Sequence, residues 1–259
     1  MKDILKTIAE NKRREIRCLF PEENKTIENF TKNICSPVFS MRKSLQTNKP
    51  GIIAEFKRRS PSKGEIFPMA DVNVIVPEYC KNGAAAISVL TDTRFFGGAI
   101  SDLAMATSLS TIPVLRKDFI VSKIQIAEAR KIGASAILLI ASILSKEEMN
   151  EFNNFAHSLG LEALVEIHDI EELDKLDFVP DMLGVNNRNL ATFHTDIANS
   201  LNIISSLPKD YWLVAESGIK SPEDILNLMQ AGFKSFLIGE AFMATGNPGE
   251  SLKKFVNEC

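Results

Sequence analysis

The sequence predicts a (β/α)8 barrel, and three observations carry that expectation. From Gly51 onward, short apolar runs of strand length alternate with amphipathic helical stretches. Four segments share one layout: Gly83–Leu90, Gly133–Ile140, Gly160–Ile167 and Gly232–Gly239 each open with a glycine suited to ending a helix in the left-handed conformation, then run into an apolar strand that ends seven residues later. The strand ends recur roughly every 26 residues between Glu55 and Gly239, the length of one strand, one helix and two short loops. Eight such units fill about 210 residues, which suits a barrel whose usual size is ~250. Strands that are apolar on both faces and alternate with helices belong to a parallel sheet covered by helices. A doubly wound open sheet is the alternative, and no Gly-x-Gly-x-x-Gly after a strand supports it.

Taken in order, residues 2–18 place Ile4, Leu5, Ile8 and Ile16 on one helical stripe with charges elsewhere. Residues 21–50 are mixed and partly irregular, with a short helix around 26–34. The expected organisation is one domain over residues 1–259, with an N-terminal helical extension (1–48) and the barrel (49–259). The extension either covers one end of the barrel or forms a mobile arm. The first strand, Ile52–Phe56, is bounded by Pro50-Gly51 and by Ser60-Pro61. Further apolar runs lie at Ile112–Leu115, Met182–Val185 and Trp212–Ala215. Helices are predicted at Ile124–Ile132, Lys146–Leu159 and Glu223–Ala231, the last led by Ser221-Pro222 as a cap and first-turn pair.

Composition bounds the partners. The chain is 45% hydrophobic and 24% charged with a net charge of −3, which gives no global support for a nucleic-acid or anionic-membrane surface role. The basic run over residues 57–63 suits a small anion instead. The four cysteines (Cys18, Cys35, Cys80, Cys259) form no Cys-x-x-Cys pair, and the three histidines are scattered, so zinc-site spacing is absent and free thiols are expected. No signal-peptide core and no apolar run of ~18–20 residues is present. The expected location is cytoplasmic.

The chemistry concentrates at the strand ends, which in such a barrel share one rim. Glu55 and Lys57 lie two apart on the first strand and so point to one side, and a buried carboxylate and ammonium are costly unless they pair or serve a site. The loop beyond adds Arg58, Arg59, Ser60, Ser62 and Lys63; an ion pair beneath a solvated basic loop explains this stretch equally well. The third strand ends in Arg116-Lys117-Asp118, the fifth in Glu166 and His168, and the sixth in Asn186 and Arg188. The seventh ends in Glu216-Ser217-Gly218 and the eighth in Gly239-Glu240. Each charged end taken singly is more often structural; six of eight on one rim point to a site. The small-residue turns at Gly218 and Gly239 lead into helices and suit a phosphate, unless those glycines merely permit tight turns. Phe96 and Phe119 would wall a slot for an aromatic ring or else pack the core. His168 either orients Glu166 or faces solvent, while His157 and His194 read as surface residues.

These stretches resemble the indole-3-glycerol-phosphate synthase family over about residues 34–250. The motifs are Ile53-Ala-Glu-Phe-Lys-Arg-Arg-Ser-Pro-Ser-Lys-Gly64, Ser88-Val-Leu-Thr-Asp92 with Phe96-Gly97, and Leu115-Arg-Lys-Asp-Phe-Ile120. Further on come Leu164-Val-Glu-Ile-His168, Gly184-Val-Asn-Asn-Arg-Asn-Leu190, Ala215-Glu-Ser-Gly-Ile219 and Leu237-Ile-Gly-Glu-Ala241. One departure is Ser135, where the family usually has Asp, on the helix-to-strand side that bears on stability rather than chemistry.

The resemblance implies ring closure, decarboxylation and dehydration of carboxyphenylamino-deoxyribulose phosphate to indole-3-glycerol phosphate. It implies Lys117 as the general acid toward the ribulose carbonyl, Glu166 as its partner, and Lys57 facing the departing carboxylate with help from Arg188. Glu55 and Asn186 would hold hydroxyls and serve the dehydration, in which either Lys57 or Lys117 could give the proton. Glu216 and Ser217 would anchor the sugar, and Ser60, Gly218, Gly239 and Glu240 the phosphate. No cofactor is implied, because the protonated ring nitrogen is itself an electron sink. The partner implied is a small phosphosugar, with neither nucleic acid nor membrane; association with other pathway enzymes is left open. Among rivals, a phosphoribosylanthranilate isomerase would want a thiol acid at the first strand and a carboxylate at the sixth, where Glu55/Lys57 and Asn186 stand. A Schiff-base aldolase would use a lysine as nucleophile. A catalytically silent phosphosugar-binding barrel would be expected to have lost part of this set.

Overall fold

The structure, a computed structural model, describes residues 4–32, 34, 38–188 and 195–259. Cys35, His194 and the Asn189-Leu190 end of one motif lie outside the described residues. Helices α1 (Ile4–Leu19), α2 (Glu23–Thr31) and α3 (Met41–Thr47) precede β1 (Gly51–Phe56), and a small hairpin follows, β2 (Arg59–Ser60) with β3 (Gly64–Glu65). The chain then runs α4 (Val72–Lys81), β4 (Ala86–Leu90), α5 (Thr93–Phe96), α6 (Ile100–Leu109), β5 (Val114–Lys117), α7 (Lys123–Ile132), β6 (Ala136–Ile140), α8 (Lys146–Ser158) and β7 (Glu162–Ile167). It closes with β8 (Met182–Asn186), α9 (Ala198–Ile203), β9 (Leu213–Glu216), α10 (Pro222–Ala231), β10 (Ser235–Ile238), α11 (Glu240–Met243) and α12 (Pro248–Glu258). Eight strands form a closed barrel in the order β1-β10-β9-β8-β7-β6-β5-β4, each parallel to its neighbours. This is the (β/α)8 barrel that the sequence predicts.

Strand alternation divides the apolar residues between two layers. On β1, Ile53 joins the cluster inside the barrel, with Leu115, Leu138, Leu164, Val214 and Leu237. Ile52, Ala54 and Phe56 face outward and pack under the helices. The predicted helix ends hold at α7 and α10, where Gly133 and Gly232 adopt φ values of 100° and 121°. Ser221 caps α10 reciprocally with Asp224. Ser135 lies just before β6, on the side away from the strand ends, and its Oγ accepts from the Val114 N–H at 3.4 Å.

Two elements depart from the sequence reading. Between β7 and β8 the connection is a 3-10 helix (Ile170–Lys175) rather than an α-helix. In the extension, α3 is a seven-residue helix, too short to show a period. Ser40 caps it, and Met41 and Leu45 are buried against the inside cluster. Ser44 donates to the Ala85 carbonyl at 2.6 Å and Ser40 to Glu162 at 2.6 Å, so α3 seals the end of the barrel where the strands begin. At the opposite end α1 lies over the strand-end rim, with Leu5 and Ile8 in the inside cluster. The extension therefore covers both ends.

Helix α1 is fastened by Lys12, which is only 3% exposed and lies 3.0 Å from Asp92 and 3.4 Å from Asp118, both buried. Burial alone would lower the Lys12 pKa, but Asp118, Asp92 and Glu15 outweigh it and raise it. Lys12→Met leaves two buried carboxylates short of their shared cation, and about 3 kcal/mol of stability is the expected loss in urea unfolding. An unchanged midpoint would show that α1 is not held by this residue.

Cys18, Cys80 and Cys259 are free thiols. Among the described residues no helix is long and apolar enough to cross a membrane.

Candidate active site

A cavity of about 500 Å³ opens where the barrel strands end, of a size that takes a small organic ligand. Just past the end of β1 the Lys57 Nζ lies 2.5 Å from Glu55 Oε1, and both side chains are nearly buried. Room for that carboxylate comes from Gly239 at the end of the neighbouring strand β10, because a Cβ there would sit 2.4 Å from Glu55 Oε1. Burial pushes the Glu55 pKa up, but Lys57 and Lys117 outweigh it and bring it below the ordinary value.

On β5 alternation separates two adjacent cations. Arg116 turns outward to the Gln125 carbonyl (2.7 Å), Glu128 (2.8 Å) and Asp118 (3.1 Å), so it belongs to the barrel–helix layer. Lys117 turns inward, with its Nζ 3.4 Å from Glu166 Oε2 and 3.6 Å from Glu216 Oε2. Burial would lower the Lys117 pKa, yet Glu166, Glu216 and Glu55 together raise it, so the group keeps its proton. Glu166, on β7, also accepts a hydrogen bond from Asn186 Nδ2 at 3.0 Å. Its pKa, which burial would raise, is brought down chiefly by Lys117 and then by His168.

Glu216, at the end of β9, is the least satisfied of the carboxylates. Neither oxygen has a hydrogen-bond partner among the described residues. The carboxylate lies flat against β8, where a Cβ on Gly184 would fall 2.0 Å from its Oε1. Burial first, and then the charge of Glu166, push Glu216 up to about 8 against the pull of Lys117. The folded chain thus binds a proton between about pH 4.5 and 8 that the unfolded chain releases, so this group's contribution to stability falls as pH rises through that window. Glu216→Gln removes the loss: denaturant unfolding from pH 5 to 8 should show a flatter decline than in the unsubstituted chain. Equal slopes would place the proton elsewhere.

The rest of the cavity has two chemically distinct ends. Phe96 and Phe119, with ring centroids 5.9 Å apart and planes tilted by 38°, form an apolar wall to which α1 adds Leu5. At the other end β9 runs into Ser217 (φ 67°) and Gly218 (φ 80°), and Gly239 leads into α11. Lys63 lies 3.2 Å and Arg188 3.8 Å from the Glu240 carboxylate there. Of the catalytic, substrate and phosphate residues that the resemblance implies, all line the cavity except Ser60, beside which Ser62 and Lys63 do; of the other charged strand-end and loop residues, Arg58, Arg59, Arg116 and His168 stand outside it. Ser60 is buried in the β2–β3 turn, its Oγ 3.4 Å from that of Ser62. His168 stands just behind the wall, 3.6 Å from Glu166. His157 is on the surface beside Asp181.

The sequence reading did not single out Leu5 as a site residue, nor Lys12 at all. Lys12 continues the buried stripe of Leu5, Ile8 and Ile16, and a charge on an otherwise apolar stripe was the available signal. Among the described residues no group of three or more His, Cys, Asp or Glu side chains is placed to hold a metal ion.

A proton-bearing ammonium between carboxylates, facing a half-apolar cavity in a closed barrel, moves protons on a small molecule; the protein is an acid–base barrel enzyme. Comparison with known proteins makes this specific. The family model described as indole-3-glycerol phosphate synthase matches residues 5–255. An indole-3-glycerol phosphate synthase of Bacteroides thetaiotaomicron is 48% identical over 258 residues, 99% of this chain and 98% of the relative. One from Burkholderia vietnamiensis is 43% identical over 261 residues, covering 98% and 99%. Among solved structures, 3-hexulose-6-phosphate synthase from Salmonella typhimurium shares the fold with a TM-score of 0.62 at 12% identity, over 80% of this chain and 97% of that one. The chain belongs to the indole-3-glycerol phosphate synthase family, whose members are decarboxylating lyases of tryptophan biosynthesis.

Proposed function

We propose that this enzyme makes indole-3-glycerol phosphate from carboxyphenylamino-deoxyribulose phosphate with the residues of the cavity in the following roles. The observation that carries the assignment is Lys117, held charged between Glu166 and Glu216 on the cavity floor. Lys117 gives its proton to the ribulose carbonyl oxygen as the ring carbon bearing the carboxylate attacks the carbonyl carbon. The new carbon–carbon bond leaves a cationic C=N in the ring. Loss of carbon dioxide returns its bonding pair to the ring, so the nitrogen supplies the electron sink. Glu166 positions Lys117 and returns protons to it.

Lys57, paired with Glu55, faces the substrate carboxylate, with Arg188 assisting. Glu55 and Asn186 hold the hydroxyls for dehydration, in which the oxygen leaves as water and a neighbouring C–H gives up its proton. Phe96, Phe119 and Leu5 enclose the aromatic ring, and Glu216 with Ser217 holds the sugar. The phosphate goes to the backbone N–H groups at Gly218, Gly239 and Glu240, as barrels often bind it after their last two strands. Lys63 and Arg188 bring the positive charge there, and Ser60 supports the turn that carries Lys63. Residues 1–48 and 49–259 are one domain on this reading, working in the cytoplasm without nucleic acid or membrane.

The test is a fluorescence assay for the indole product from that substrate without added cofactor or metal. Turnover is expected. Tight binding without turnover would leave a silent barrel, and absence of both would remove the substrate assignment.

A further inference from the structure

The reaction consumes one proton from solvent per turnover. The substrate carboxylate departs as neutral carbon dioxide, the carbonyl oxygen takes up two protons to leave as water, and one C–H proton is released. Lys117, having given up its proton, must be recharged in a site that is nearly buried. The structure holds a row of groups leading there. From Lys117 Nζ it is 3.4 Å to Glu166 Oε2. On the other oxygen of that carboxylate, Glu166 Oε1 is 3.6 Å from His168 Nε2, and His168 Nδ1 is 3.9 Å from Glu172 Oε2.

Both imidazole nitrogens are buried and have no hydrogen-bond partner among the described residues. That is an unfavourable arrangement for a histidine with only a packing role. Its place is set locally: His168 follows β7 two residues after Glu166 and so shares its side. The His168 backbone N–H donates to Glu172 Oε2 at 2.8 Å, which ties the 3-10 helix to the strand end. Glu172 is the most exposed of the three side chains, at 16% against 14% for His168 and 3% for Glu166.

We propose that Glu172 and His168 form a proton-supply line that recharges Lys117 through Glu166. Glu172 takes a proton from water and passes it to Nδ1; the imidazole releases the proton on Nε2 to Glu166 Oε1, and Glu166 returns one to Lys117. Each leg needs an approach of under about 1 Å to reach hydrogen-bonding distance. His168 and Glu172 are positioning residues that touch no substrate. The proposal rests on the reaction assigned above.

The experiment measures kcat and KM for the unsubstituted enzyme, His168→Phe and Glu172→Gln, with thermal unfolding as a check of folding, at rising imidazole concentration and constant ionic strength. Both variants are expected to lose about tenfold or more in kcat with KM nearly unchanged. Imidazole should restore His168→Phe in a saturable way and leave the unsubstituted enzyme unaffected. A kcat equal to the original in both variants overturns the proposal, as does a loss that imidazole does not restore, which would make His168 a packing residue. Should His168→Phe fail to fold, an undiminished kcat in Glu172→Gln overturns it alone. Failure of the unsubstituted enzyme to turn over would instead count against the reaction assignment.

Discussion

Lys117→Met is expected to lower kcat by about 10²–10⁴ with KM held within a few-fold, the signature of losing a general acid rather than a binding group. Methionine keeps most of the side-chain length and fills the same space, so the cavity walls and the Phe96–Phe119 pair stay in place. What it removes is the ammonium that lies 3.4 Å from Glu166 and 3.6 Å from Glu216. Without it the pull that Lys117 exerts on Glu216 is gone, so burial and the charge of Glu166 hold the proton on that carboxyl to higher pH. That proton sits on the wrong atom to reach the carbonyl. Steady-state kinetics with a binding measurement on the same variant decide the matter, and an unchanged kcat would take Lys117 out of the mechanism.

Lys57→Ala is expected to act on both parameters, raising KM by about tenfold and lowering kcat by about 10². Lys57 is the cation offered to the substrate carboxylate, so its loss weakens binding. It is also the partner of Glu55, 2.5 Å away and 5% exposed. Removing it takes away the largest influence that keeps Glu55 ionised against burial, so the carboxylate's pKa rises. A protonated Glu55 serves the dehydration poorly. Adding exogenous alkylammonium at constant ionic strength should recover part of kcat. If Lys57→Ala lost only thermal stability, the pair would be an ion bridge at a strand end and nothing more.

Much of this was legible before any coordinates. The strand rhythm and the helix-ending glycines locate the eight strands, because the period of the chain and the left-handed backbone are local properties. Charges two apart, such as Glu55 and Lys57, could be assigned to one face because a strand has a period of two. Short elements were the weak point: α3 and the 3-10 connection after β7 are too brief to show a period, and their place is set by what they cover.

Contacts between distant parts of the chain were not legible. Nothing near Gly184 announces that it clears space for Glu216 thirty-two residues on, nor near Gly239 that it does so for Glu55. The pairing of Lys12 with Asp92 and Asp118 follows from how α1 crosses the rim. Ser60 is next in sequence to the basic loop yet lies behind the wall, because the β2–β3 turn points Ser62 and Lys63 inward instead.

The sequence by itself therefore determined the barrel, the family and the residue types at the strand ends, all of which depend on local periodicity and motif. Only the tertiary structure decided which of those groups meet, which are orphaned and which protons they hold. Burial and charge act through space, and barrel closure brings β1 beside β10 and Lys117 between two carboxylates from different strands.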